Sequence, residues 1–253
     1  MKELGSNSEW KKWGEIDPLF GVASWQNKEK DGSDPWTDRE FYQLGESDWK
    51  DFRGHWEKYG VNRESCLEIG CGAGRITMQL ASYFNQVHAT DVSEQMIEYA
   101  KAHISSSSVA FHLSNGTDIP LADQSICSVF STHVFQHFDS LSVADEYFAE
   151  IARTMKTDGT LMIHLPLYRW PSKSRILRMI YAIQKAKEDI QAGGKRLLMR
   201  YGMAKPLMRG LRYPLEYFFE VLPKHGFTDI ELAAFVTKSN GDPHSFLFAR
   251  KKA

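Results

Sequence analysis

The sequence predicts an α/β protein in which a mostly parallel sheet carries helices on both faces. Three observations predict it. Cys66-Leu-Glu-Ile-Gly-Cys-Gly-Ala-Gly-Arg-Ile-Thr77 opens on a short apolar run, turns through glycines at alternate positions, and continues with Ile76, Leu80 and Ala81 at helical spacing. From residue 65 to 165, runs of strand length alternate with amphipathic helical runs, as parallel strands joined by crossover helices do. Near the C-terminus two strand-like runs flank Asn240-Gly-Asp-Pro243, a turn short enough to make them antiparallel neighbours.

Residues 1–36 hold Trp10, Trp13, Trp25 and Trp36 among charges, glycines and prolines. That is too aromatic for a disordered tail and too irregular for a long helix, so it reads as an arm packed over the domain. The tryptophans read first as anchors, and second as walls of a substrate pocket. Thr37-Asp-Arg-Glu40 has the form of a capping box and predicts a short helix carrying Phe41, Tyr42 and Leu44. A second helix is expected over 48–59, capped by Ser47 and stopped by Gly60.

The core then follows in order: strand 66–69, helix 75–84, and strand 87–90 ending at Asp91. Ser93 caps a helix with Met96, Ile97 and Ala100 on its apolar face. Strands are expected at 109–113, 126–131 and 160–165, with a helix from Ser142 before the last. Over 167–213 the pattern changes to a helical insertion in which Ile176, Ile180, Ile183 and Ile190 bury one face. Gly193 and Gly194 break it, and Leu197, Leu198 and Met199 belong to a further helix. Pro214 starts a last helix, Gly226 stops it, and strands 228–237 and 245–250 close the chain.

Composition narrows the function classes. A chain of 253 residues is one domain with an insertion or two small ones, and 42% apolar residues supply a substantial core. A net charge of −1 gives no global pull toward nucleic acid or membrane. Cys66, Cys71 and Cys127 lack metal-ligand spacing, so they read as reduced thiols of a cytoplasmic protein, and no metal is expected. No apolar run approaches membrane-spanning length.

The glycine turn lets a ligand touch the backbone and aims N–H groups and a helix N-terminus at it. The spacing is Gly-x-Gly-x-Gly, not the Gly-x-Gly-x-x-Gly of dinucleotide sites, and Glu68 would repel a phosphate. Asp91, about twenty residues on, can accept hydrogen bonds from both hydroxyls of a ribose. The spacing Glu68-x-Gly70-x-Gly72-x-Gly74 resembles motif I of the class I S-adenosylmethionine (SAM) dependent methyltransferases, whose cationic cofactor suits an acid beside the loop. Ser114-Asn-Gly-Thr-Asp-Ile-Pro120 resembles the family segment whose Asp contacts the adenine amino group, with Asn115 in the place of that Asp. Ser131-Thr-His-Val-Phe-Gln-His-Phe138 resembles the segment after strand four, and Glu150-Ile-Ala-Arg-Thr-Met-Lys-Thr-Asp-Gly159 a later helix end, with Thr157 and Asp158 departing from it.

The resemblance covers about residues 65–165, and 214–250 loosely. It implies a Rossmann-like doubly wound sheet of seven strands in the order 3-2-1-4-5-7-6, the last antiparallel. It implies SAM as cofactor, with S-adenosylhomocysteine as product, held by Glu68, Gly70, Cys71, Gly72, Gly74, Arg75, Asp91, Val92, Met96, Asn115, Gly116 and Ser131. His133 and His137 are the candidate catalytic bases for a hydroxyl acceptor, and His164 is a third; a neutral amine acceptor needs none.

Residues 1–60 are expected to form an arm and helices covering the active site, and 61–253 the SAM-binding domain with the insertion 167–213. The expected reaction is methyl transfer to a small molecule, oxygen favoured. The alternatives are a methyltransferase acting on a macromolecule or at a membrane surface, and a SAM-binding protein without transfer activity. The insertion carries twelve Lys or Arg against two acids. It reads as a solvated face, as a lid in which Arg169, Arg175 and Arg178 grip an anionic acceptor, or as a helix on anionic lipid.

Overall fold

The computed structural model describes residues 4–168, 187, 190, 194, 205, 206 and 208–252. Its centre is a seven-stranded sheet. In chain order the strands are β1 (Ser65–Ile69), β2 (Gln86–Asp91), β3 (Val109–Leu113), β4 (Ile126–Ser131), β5 (Met155–His164), β8 (Phe227–Val236) and β9 (Pro243–Lys251), with β6 (Leu167–Tyr168) and β7 (Tyr213–Pro214) apart from it. The spatial order is β3-β2-β1-β4-β5-β9-β8, in which β1 to β5 run parallel and β9 runs antiparallel to both neighbours. This is the expected seven-stranded order.

Side chains alternate across the sheet as a period of two requires. Leu67, Val129, Leu161, Ile163 and Leu247 face α6 (Leu141–Thr154) and α7 (Leu215–Val221) in one buried cluster. Cys66, Phe130, Met162, Phe246 and Phe248 face the other way, onto Trp49, Phe52 and Trp56 of α3 (Asp38–Tyr59) and Leu80 of α4 (Thr77–Tyr83). β1 and β4, central and covered on both faces, are buried at every residue.

Three expectations need correction. The two short helices expected over 37–59 are one helix of 22 residues, α3. Its capping box forms as read, Thr37 Oγ1 accepting from Glu40 N and Glu40 Oε2 from Thr37 N, and Gly60 ends it in the left-handed region. Gly45 and Ser47 do not break it, because Phe41, Trp49, Phe52 and Trp56 form one continuous buried stripe. The irregular arm contains α1 (Gly5–Ile16) and α2 (Pro18–Val22), the second capped by the Asp17 carboxylate, which accepts from Phe20 N at 3.1 Å. The turn expected around Thr157 and Asp158 lies within β5, which begins at Met155, with Asp158 at φ +61° and a register shift against β4.

Two strands were not expected. β6 pairs with β7 in parallel, Leu167 opposite Tyr213, so the insertion leaves and rejoins the domain at one point. The readings of Ile176, Ile180, Ile183, Leu197, Leu198, Met199, Arg169, Arg175 and Arg178 lie outside the described residues. Ile190, expected on a buried helix face, is helical and 75% exposed. Among the described residues no helix is long and apolar enough to cross a membrane.

Candidate active site

A cavity of about 350 Å³ opens over the carboxyl ends of β1, β2 and β4. This is the crevice where an open α/β sheet binds ligands, because the strand order reverses there and neighbouring loops diverge. The glycine turn forms one wall. The arm lines it through Asn7, Trp10, Val22 and Trp25, α3 contributes Asp48 and Phe52, the β8–β9 turn Asn240, and the start of β9 His244.

The glycine turn forms because its backbone takes conformations that a Cβ resists. Gly70, Gly72 and Gly74 lie at φ +73°, +52° and +84°. Gly70 N and Cys71 N donate to Thr90 O at 2.8 and 2.9 Å, binding the end of β1 to β2. Gly70 and Gly72 line the cavity, where a Cβ would run into Val134 and Val22 respectively. Gly74 points elsewhere: a Cβ on it would meet Ile104 and Ala100 around α5 (Glu94–His103), so it lets that helix pack close.

Asp91 ends β2 inside the cavity, with Val92 and Met96 beside it. Its Oδ2 accepts from Gly72 N at 2.8 Å and its Oδ1 from Ser93 N at 2.9 Å. Each oxygen keeps a lone pair for a further donor. Burial raises its pKa, opposed by these main-chain N–H groups.

Glu68 is buried beneath the loop. Burial pushes its carboxyl up to about 7, against the opposing hydrogen bond from Thr77 Oγ1 at 2.6 Å and the charge of Arg75. Arg75 Nη1 pairs with Asp48 Oδ2 across to α3, and both side chains are almost fully buried. Yet Asp48 Oδ1 and Arg75 Nε have no hydrogen-bond partner, although both residues line the cavity. An unpartnered acceptor and an unpartnered donor on two cavity-lining residues suit a ligand that carries both a cation and a carboxylate.

The segment after β4 divides. Ser131 Oγ donates to Ile69 O at 2.9 Å and tethers β4 to β1, outside the cavity lining. His133 lines the cavity in the left-handed region, at φ +58°. Burial and the neighbouring His164 hold its pKa well below the usual value, so its imidazole is neutral at pH 7. His137 also lines the cavity, but both ring nitrogens are engaged. Nδ1 donates to Arg209 O at 2.7 Å, which leaves Nε2 to accept from Gln136 Nε2 at 3.1 Å. Burial lowers its pKa to about 4.

After β3, Ser114 lines the cavity, whereas Asn115 is exposed and lies outside the lining. Gly116 is buried beside it at φ +141°, its carbonyl accepting from Ser114 Oγ and Tyr147 OH. Of the sequence-derived residues, the fold brings Glu68, Gly70, Cys71, Gly72, Arg75, Asp91, Val92, Met96, His133 and His137 to one cavity. Gly74, Asn115, Gly116 and Ser131 stand behind or beside it. Trp10 and Trp25 line it, while Trp13 is buried in a cluster with Phe41, Ala73 and Met96, which joins the arm to the domain, and Trp36 donates to Ala23 O.

Sequence reasoning missed Asp48, Thr132, Asn240 and His244. They lie on α3, after β4 and at the far hairpin, and no local spacing ties them to the glycine turn. Their one available signal is polar character at positions next to buried apolar runs.

Residues 67–163 match the family model described as a methyltransferase domain. Among curated proteins, the chain is 32% identical over 108 residues to the malonyl-[acyl-carrier protein] O-methyltransferase of Hahella chejuensis, covering 40% of this chain and 38% of that one. It is 28% identical over 105 residues to O-methyltransferase cnsE of Penicillium expansum, covering 40% and 37%. The chain thus spans less than two fifths of the length of these curated relatives. Among solved structures it resembles magnesium protoporphyrin IX methyltransferase (ChlM) of Synechocystis PCC 6803 with bound S-adenosylhomocysteine. The TM-score there is 0.59 at 16% identity, over 98% of this chain and 100% of that one, a likeness of fold.

Proposed function

We propose that this protein, whose residues 67–163 match the model of a methyltransferase domain, is a class I enzyme that transfers a methyl group from SAM to a small-molecule acceptor, oxygen favoured. The observation that carries the reading is the open pair Asp48 Oδ1 and Arg75 Nε in the same cavity as Asp91 and the glycine turn. The residues present fit the cofactor. Asp91 has lone pairs for ribose hydroxyls, the turn leaves room for a nucleoside, and the open acceptor and donor match the ammonium and carboxylate of the methionine portion.

SAM, when bound, supplies a methyl group already activated by a sulfonium. The protein's task is therefore alignment and exclusion of water. Asp91 and the glycine turn hold the nucleoside end, and Asp48 with Arg75 the amino-acid end. The arm closes the cavity from above. His133, neutral and lining the cavity, would take the proton of a hydroxyl acceptor on a ring nitrogen. His137 is committed to Arg209 and Gln136 and holds its loop. The O-methyltransferase names of the two curated relatives support oxygen as the acceptor atom.

The test is incubation with SAM and pools of candidate acceptors, read by mass spectrometry for the gain of one methyl group. Asp91→Ala should weaken SAM binding severely in calorimetry, because the ribose hydroxyls lose their partner. His133→Ala should lower turnover on the order of 10²–10⁴-fold while SAM affinity holds. Unchanged SAM affinity in Asp91→Ala would refute the cofactor placement. Full turnover in His133→Ala would refute the base.

A further inference from the structure

Three histidines from separate elements meet at the acceptor end of the cavity. His133 follows β4, His164 ends β5, and His244 lies near the start of β9. One ring nitrogen of each lies within 4.8 Å of the other two. His164 Nε2 and His244 Nδ1 are 3.1 Å apart. The edge of a tetrahedral site with metal–nitrogen bonds of about 2.0–2.1 Å is about 3.3 Å, so one edge is almost set. The His133 nitrogen lies within 4.8 Å of both and would have to close on them to complete the site.

We propose that His133, His164 and His244 bind a divalent transition metal of the zinc type, with an open coordination position facing the cavity. Three imidazoles and one open position is the ligand set of a catalytic rather than a structural zinc site. His133 and His244 line the cavity, while His164 is buried behind them, so a fourth ligand would come from the cavity side. All three rings are neutral at pH 7, as ligation needs, because burial lowers each pKa.

The metal-free hydrogen bonds show what metal uptake must change. His164 Nδ1 accepts from His133 N at 3.3 Å. A neutral His164 therefore carries its proton on Nε2 and donates it to His244 Nδ1. His244 Nε2–H in turn faces Asn240 Oδ1 at 3.4 Å. A metal takes the place of the proton between His164 and His244. That proton moves to Nδ1 of His164, and the long contact from His133 N opens. Two hydrogen bonds are exchanged for three metal–nitrogen bonds. His133 already stands in a left-handed backbone conformation that this contact helps to hold.

In the metal-loaded protein His133 is a ligand and not the base, and metal uptake is measured without turnover, so the proposal stands or falls apart from the methyl-transfer reading. The chelator-stripped full-length protein is titrated calorimetrically with Zn²⁺, and separately with Co²⁺ while recording visible absorption. One equivalent should bind, and Co²⁺ should give the intense bands of a tetrahedral site. His244→Ala and His164→Ala should each weaken Zn²⁺ binding roughly 100-fold or more, beyond the roughly 10–100-fold lost with a group that only hydrogen-bonds to a ligand. His244 is only half-buried, so its variant keeps the test open if His164→Ala fails to fold. His112→Ala is the control: His88 and His112 form a second pair, 3.0 Å apart on β2 and β3, and losing it should leave the tight site unchanged. No Zn²⁺ uptake overturns the proposal, as does uptake indifferent to His244 and His164 or abolished by His112→Ala. In any of these results the three histidines are a hydrogen-bonded chain alone.

Discussion

Glu68 shows how a single residue can carry both fold and ligand chemistry. Its carboxyl is buried under the glycine turn and titrates at about 7 in the folded protein, against about 4.5 for a free side chain. Between those values the folded state holds a proton that the unfolded state has released. Stability therefore falls as pH rises from about 4.5 to about 7, by about 3 kcal/mol from this group. The buried histidines act in the opposite direction, because their lowered pKa values leave the unfolded state holding more protons below pH 6.5. The difference between wild type and Glu68→Gln isolates the carboxyl. In urea unfolding from pH 5 to 8, the wild type should lose stability relative to the variant, with most of the change complete by about pH 7. A flat difference would mean that Glu68 is ionised throughout.

At the scale of the element, α3 illustrates why a helix former is not always an improvement. Gly45 sits in mid-helix, where alanine would normally add about 1 kcal/mol of stability. A Cβ there would overlap the carbonyl oxygen of Arg75, at the far end of the glycine turn. Gly45 therefore lets the helix lie against the loop, and Asp48, one turn on, reaches Arg75. Gly45→Ala should destabilise by about 1–3 kcal/mol, the cost of overpacking, despite its better helix propensity. Chemical denaturation measures this directly. A stabilised variant would show that the helix can move off the loop freely. Gly54, also in α3, has open space around its Cβ position and is the control expected to gain stability on the same substitution.

For the whole molecule, the arm and the segment before β7 are fastened to the sheet domain at one point. Arg209 pairs with Glu9 of α1 through Nε at 2.8 Å and also with Asp139, after β4. Ser6 adds N–H and hydroxyl donors to Asp139 at 3.2 and 3.1 Å, and His137 donates to Arg209 O. The Arg209 and Glu9 side chains are 10% and 1% exposed, so Arg209→Met breaks a buried ion pair between the arm and this segment. Such a loss costs about 3–5 kcal/mol, here concentrated on one docked segment. Arg209→Met should release the arm while the sheet stays folded. Limited proteolysis should then cut within residues 4–36 well before the core. Cleavage at the wild-type rate would show that Trp13, Leu19 and their apolar neighbours hold the arm without the clasp.

The seven strands of the main sheet, the glycine turn, the Asp91 position and the terminal hairpin were legible along the chain. Each depends on interactions within a few residues: alternation in β4, capping at Ser93 and Thr37, positive φ at Gly70 and Gly72. Such signals survive in one dimension because backbone geometry repeats locally. Only the tertiary structure decided that α3 is one helix lying against the loop, that Asp48 faces Arg75, and that Gly74 serves packing with α5. It alone divided His133 from His137, since the carbonyl that occupies His137 belongs to Arg209, 72 residues away. The meeting of His133, His164 and His244 is of the same kind. Parallel strands carry residues distant in the chain to one edge of a sheet, and which of them meet depends on register and packing that no local pattern records.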